Sequence, residues 1–203
     1  MKRIRIIYCY SMAAQVAFVD SSSSQRKTDL RRSTTVAESL RMQRKTHDGA
    51  RTAHHRKIML AITQLHALPA QLFDLEREAS TQGFRFLRRL IEEWRSGSNR
   101  FDKPGERLLV AEDDGNIVGI GGLNVDPYAT ARDTARLRRV YVANDHRRRG
   151  IGEALVGALL EEASSRFRVV RLSTDTDVAA AFYERLGFSA VADETATHEK
   201  MLW

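Results

Sequence analysis

Residues 136 to 162 read RLRRVYVANDHRRRGIGEALVGALLEE: an apolar strand-like run, a turn holding three arginines and two glycines, then a long helical pattern. No other stretch constrains the fold as tightly. Val140-Tyr141-Val142 predicts a strand, and apolar residues at 151, 155, 159 and 160 give the following helix one stripe to bury. A strand that turns straight into such a helix needs a sheet for the helix to cover, so the chain must combine both element types around one core. The turn also has a chemical meaning. The first N–H groups of a helix have no intrahelical acceptor, the helix dipole is positive there, and glycine lets a ligand approach the backbone closely. With Arg147, Arg148 and Arg149 beside it, this turn suits an anion.

The pattern is regular from residue 58 to the end. KIMLAITQLHALP predicts a strand ended by Pro69, and AQLFDLEREAS and FRFLRRLIEEW predict two short helices separated by Gly83. SGSNRFDKPGER reads as an open loop. LLVAEDDGNIVGIGGLNV predicts a hairpin about Asp114-Gly115-Asn116, and ARLRRVYV the next strand. After the long helix come the strand VVRLSTDT, the helix DVAAAFYERLG closed by Gly187, and a last strand, THEKMLW. The order β-α-α-β-β-β-α-β-α-β describes a mixed sheet with helices packed on it, in the α/β (α+β) range.

Two common phosphate motifs fail at the opening turn. A nucleotide P-loop needs Gly-Lys-Ser/Thr, but Gly152 is followed by Glu153 and Ala154. A dinucleotide fingerprint needs a third glycine where Leu155 stands. What remains is Arg147-x-x-Gly150-x-Gly152 after RRVYV, followed about 30 residues later by YERLGF. Over residues 58 to 203 this arrangement resembles the GNAT superfamily of N-acetyltransferases, whose signature is Gln/Arg-x-x-Gly-x-Gly/Ala. The resemblance implies a mixed, mostly antiparallel sheet flanked by helices, and acetyl-CoA as co-substrate. It also implies that the backbone of Arg148, Arg149, Gly150, Ile151 and Gly152, with Arg147, cradles the pyrophosphate, while Val140, Tyr141 and Val142 line the pantetheine arm. An N–H at about Val142 would then face the carbonyl oxygen that gathers charge during transfer.

The same resemblance gives Tyr183 the role of general acid, beside the apolar stripe Ala179, Phe182 and Leu186. Thr176 stands where relatives often carry asparagine. The base is less determined. The strand from Ala135 to Val142 holds no acid, where relatives often have glutamate, and carries Arg136, Arg138 and Arg139 instead. Glu112 and Asp113 lie by the hairpin turn; Asp126, at a strand end, is the better candidate, Asp133 and Asp145 are weaker, and a water chain is the alternative. Arg136 or Arg138, if turned to the acceptor, would favour an acidic amine, and a surface ion pair competes with that reading. Residues 70 to 95, Trp94 and the 96 to 107 loop are expected to build the acceptor wall.

The expected function is therefore direct acetyl transfer to a primary amine of a small molecule or peptide. The alternative is a non-catalytic, acyl-CoA-binding regulatory module. The expected setting is cytoplasmic, with no metal, no membrane association and a possible homodimer. Residues 1 to 57 carry 13 Lys/Arg against 4 Asp/Glu, and residues 58 to 203 carry 20 against 22, so the net charge of +7 belongs to the first quarter. Nucleic acid is thus not expected as a partner of the folded domain. Residues 1 to 57 read as a basic, disordered extension, or as translated upstream sequence with the start at Met42 or Met59. MKRIRIIYCYSMAAQVAFV has the outline of an export segment, but Tyr8, Tyr10, Ser11 and Gln15 interrupt its apolar run and no small-x-small site follows. His54-His55 reads as solvated loop, and the lone Cys9 has no partner for an internal disulfide.

Overall fold

The structure is a computed structural model that describes Arg5–Tyr8 and residues 59–203. Its elements are β1 (Arg5–Tyr8), β2 (Met59–Gln64), α1 (Gln71–Thr81), α2 (Phe86–Ser96), β3 (Arg107–Asp113), β4 (Asn116–Val125), β5 (Thr134–Val142), α3 (Ile151–Ala163), β6 (Val169–Leu172), α4 (Asp177–Arg185), β7 (Ser189–Ala190) and β8 (His198–Met201). One sheet takes them in the order β1-β2-β3-β4-β5-β6-β8-β7. Every pairing is antiparallel except β5 with β6, which α3 connects. A parallel pair needs a crossover of this kind, because a tight turn can only reverse the chain.

The elements from residue 59 onward follow the predicted order. The hairpin turns at Asp114 and Gly115, both at positive φ (49° and 76°), as a two-residue connection between twisted strands requires. Two differences concern short strands. β7 has two residues and lacks the length to show a period of its own. Arg5–Tyr8, which the sequence reading assigned to the extension, pairs antiparallel with β2 from Arg5 opposite Ile62 to Tyr8 opposite Met59. The rest of that extension, with Cys9, His54-His55 and Met42, lies outside the described residues.

The sheet separates two apolar clusters. On one face, Ile151, Leu155, Val156 and Leu159 of α3 pack with Leu109, Leu123, Leu137 and Val170 of the sheet, and Phe182 and Tyr183 of α4, with Leu186 just after it, close the side. On the other, Leu72, Leu75 and Ala79 of α1 and Leu87, Leu90 and Ile91 of α2 pack on Leu108, Val110, Ile120 and Tyr141. The glycine-rich run in β4 explains how closely both layers approach. A Cβ at Gly119 would press on Leu155 of α3, and one at Gly122 would collide with the Phe101 ring. Phe101 is 2% exposed and itself sits at φ 54°, so the loop after α2 is folded down to plug the sheet. Phe101→Ala should therefore cost about 3–5 kcal/mol of stability, as removal of a fully buried aromatic ring does, measured by denaturant unfolding.

Candidate active site

β5 and β6 run side by side for only three residue pairs, Thr134 with Val169, Ala135 with Val170 and Arg136 with Arg171. β5 then continues to Val142, whereas β6 ends at Leu172. The edge of β5 beyond Arg136 thus has no strand beside it. Amide direction along this edge follows from the ladder. The Ala143 N–H donates into β4 at Val118 O (2.8 Å), and because amides alternate, the Val142 amide group must face the open side. Val142 O is indeed met there by Arg147 Nε at 2.9 Å.

The open edge leads directly to the glycine turn. A short 3-10 turn, Asn144–His146, feeds Arg147; Arg148 is at φ 59° and Gly150 at φ 78°, followed by Ile151 at the first turn of α3. Alternation of left-handed and ordinary backbone turns successive N–H groups to one side, and only glycine takes such a conformation without strain. Among the described residues, the N–H groups of Arg148, Arg149, Gly150, Ile151, Gly152 and Glu153 donate to no acceptor. That is an arc of donors at a helix N-terminus, fitted to a phosphate or pyrophosphate. Arg148 and Arg149 are exposed beside it, with no side-chain partner among the described residues.

Arg147 has another task. Its guanidinium donates to Val142 O and to Gln82 Oε1 (2.7 Å) and lies over the Tyr141 ring at 5.2 Å. Gln82 Nε2 donates to the Tyr141 hydroxyl (2.9 Å), which donates to Glu78 Oε1 (2.9 Å); the same oxygen accepts the Asn144 N–H at 2.7 Å. Burial first, then Glu78, pushes the Tyr141 phenol up to about 12. The first signature residue therefore braces the loop against the end of α1.

A bulge shapes the middle of β5. Gly122 pairs with Arg138 and Ile120 with Tyr141, so Gly121 faces both Arg139 and Val140. Arg139 is at φ 61°, unusual for a side chain of its size. Its guanidinium reaches both oxygens of Glu93 on α2 (3.1 and 3.0 Å). Against burial, the largest influence, which acts to raise it, Arg89 at 2.8 Å and then Arg139 hold the Glu93 carboxyl below its usual range.

A strand that parts from its parallel neighbour, a bulge at the parting, and an arc of free N–H groups at the next helix define an acyl-CoA acyltransferase framework. The family model described as "Acetyltransferase (GNAT) family" matches residues 69–188. The chain belongs to the GNAT family. Members of this family use acetyl-CoA as co-substrate. Among solved structures, a protein from Exiguobacterium sp. 255-15 assigned as an acetyltransferase is 28% identical, with a TM-score of 0.63 over 70% of this chain and 93% of its own. A GNAT-family acetyltransferase from Staphylococcus aureus Mu50 is 17% identical, with a TM-score of 0.57 over 71% of this chain and 99% of its own. The ribosomal-protein-alanine N-acetyltransferase of Brucella melitensis is 21% identical, with a TM-score of 0.51 over 69% of this chain and 98% of its own. At such identities the last two share the fold.

Within this GNAT framework Tyr183 stands on α4, next to Phe182, whose ring comes within contact distance of the Gly152 position in the first turn of α3. The Tyr183 ring makes edge contacts with Phe182 (5.0 Å) and Phe188 (5.7 Å). Its hydroxyl has no hydrogen-bond partner among the described residues, and burial pushes the phenol up to about 12. Thr176 caps α4, accepting the Ala179 N–H at 3.3 Å.

Asp126 is placed differently from the expectation. Its side chain is fully enclosed, with Oδ2 at 3.5 Å from Arg136 and 3.8 Å from Arg171, while Oδ1 accepts the Tyr128 N–H at 3.0 Å. It sits where β5 and β6 are still joined, away from the glycine turn, and a carboxylate so enclosed has no path to an acceptor's proton. Of the weaker candidates, Glu112 accepts from Thr63 (3.3 Å) and Asp113 lies 3.7 Å from His146. Trp94 and part of the 96–107 loop, including Arg100, Phe101 and Arg107, line a cavity of about 340 Å³ with Gln64 and His66. Among the described residues there is no cluster of metal-ligating side chains, and no helix is long and apolar enough to cross a membrane.

Removing one partner of a buried ion pair strands the others, so Asp126→Asn should lower stability by about 3–5 kcal/mol in denaturant unfolding. At temperatures where the variant is folded, the pH dependence of its turnover should match that of the parent.

Proposed function

We propose that this chain is an acetyl-CoA-dependent N-acetyltransferase that moves an acetyl group directly to a primary amine of a small molecule or peptide. The observation that carries the reading is the arc of free N–H groups from Arg148 to Glu153, continuous with the open edge of β5. Acetyl-CoA supplies an activated acetyl thioester. The chain's part is to hold the two reactants together, exclude water and manage protons.

The N–H arc and the positive end of the α3 dipole hold the pyrophosphate. The inward Val142 amide is the donor to developing negative charge at the reacting carbonyl oxygen. An alkyl ammonium has a pKa near 10.4 and must lose a proton before it attacks. With Asp126 enclosed and Glu93 committed to Arg139, that proton leaves to solvent. As the new C–N bond forms and the C–S bond breaks, Tyr183 donates its hydroxyl proton to the departing sulfur and regains one from water. A phenol kept protonated by burial suits this role, since it remains an acid at any pH at which the amine is neutral enough to react. The cytoplasmic setting and the absence of a metal requirement are part of the same reading.

The test is acetyl-CoA-dependent thiol release over a panel of amino acids, polyamines, aminoglycosides and peptides, with Tyr183→Phe in parallel. Acceptor-dependent release that falls at least tenfold in kcat in the variant is expected. Coenzyme A binding without transfer to any amine would leave the non-catalytic module as the better account. The phenol is an acid below its own pKa of about 12, so kcat should not fall as pH rises from 8 to 10, and should climb where amine deprotonation limits it.

A further inference from the structure

The charges on the α1–α2 face of the sheet do not balance around β5. Arg138 lies opposite Gly122, whose absent side chain would point at Phe101, so Arg138 belongs to the face that α1 and α2 cover. The bulge sends Arg139 to the same face, where it takes Glu93. Arg136 takes Asp126 and donates to Ser173 Oγ (3.0 Å) and Thr195 O (2.6 Å). Arg171 shares Asp126 and takes Asp193 at 2.6 Å. Of the four strand guanidiniums, three thus have a carboxylate partner, with Glu93 shared between Arg139 and Arg89 of α2, and the one without is Arg138. It is partly buried and has no hydrogen bond or ion pair among the described residues. Burial, then the charges of Arg139 and Arg136, lowers its pKa, against smaller opposite effects of Glu93 and Tyr128. A half-buried cation between two like charges is costly until an anion reaches it.

The position of this unpaired charge is functional as well as unusual. Arg138 lies on the part of β5 beyond Arg136 that has no strand beside it, four residues before Val142. Tyr128 lies near it, 58% exposed, its ring stacked on the Arg136 guanidinium at 5.0 Å. We propose that the acceptor amine carries a carboxylate, that this carboxylate pairs with the free Arg138 guanidinium, and that the Tyr128 ring flanks the rest of the acceptor. The inference rests on the transferase reading above. One planar fork without a paired carboxylate matches a carboxylate bidentately. A polyamine carries no carboxylate for Arg138 to pair with, so amino acids are selected over polyamines.

The experiment compares glycine, L-serine, L-methionine and L-glutamate, each beside its α-carboxamide, with phosphoethanolamine and putrescine, in thiol release from acetyl-CoA by the full chain. The variants are Arg138→Gln, Arg138→Lys and, as a control, the exposed Arg168→Gln. Acids should exceed their amides at least tenfold in kcat/KM. Arg138→Gln should erase that preference through KM, Arg138→Lys should restore part of it, and Arg168→Gln should retain it. Equal use of acids and amides, a preference for phosphoethanolamine, or an equal loss on acid and amide in Arg138→Gln would overturn the proposal. If no amine releases thiol, the transferase reading fails on its own. The carboxylate site is then decided by calorimetric titration of the same acids and amides into the coenzyme A-loaded chain: acid-selective binding lost in Arg138→Gln sustains it, and binding indifferent to Arg138 overturns it.

Discussion

Asp126, enclosed between Arg136 of β5 and Arg171 of β6, fastens the two parallel strands at the point from which they diverge. Everything the site needs lies downstream of that fastening. Strands joined along their whole length would cover the β5 edge, and strands joined nowhere would not hold a defined opening. Because charges removed from water are stable only in company, the cluster is an all-or-none junction. Its third arm, Arg171 to Asp193, extends the junction to the segment before β8 and keeps the far side of the opening in place.

At the other end of β5 the means are different. The bulge at Arg139 and Val140 adds a residue to the strand without adding one to β4, so the chain bends and two successive arginines share a face. A left-handed arginine costs about 1–2 kcal/mol. Two charge-assisted contacts to Glu93 offset that cost and tie the bend to α2. A helix on one face of the sheet thereby sets the path of the strand whose edge is open.

Sequence patterns carried the local part of this design and missed the distant part. Helices α1 to α4, the hairpin and the glycine turn are written in periods and turn residues that act over a few positions. The bulge has no such mark, since neither glycine nor asparagine stands at Arg139; only a contact 46 residues away holds it. Asp126 looked available for proton transfer because its partners lie 10 and 45 positions along the chain. The engagement of Arg147 was hidden for a similar reason, as its side chain bonds Gln82, 65 residues earlier. Glu153 was overlooked among the free amides because the signature ends at Gly152, whereas helix geometry frees one more N–H. The acceptor preference could be raised from the arginines in β5, but deciding which one is unpaired took the fold.

The hydrogen-bond chain from Arg147 through Gln82 and Tyr141 to Glu78 has one more consequence. It joins the last turns of α1 to the loop through side chains that are shared, each making contacts on both sides. Glu78 also holds the Asn144 N–H, where the loop begins. Order in the loop and order in α1 are thus a single thermodynamic quantity. Whatever free energy a firm helix end contributes to the loop's grip on an anion, an anion in the loop must return to the helix end, in equal amount.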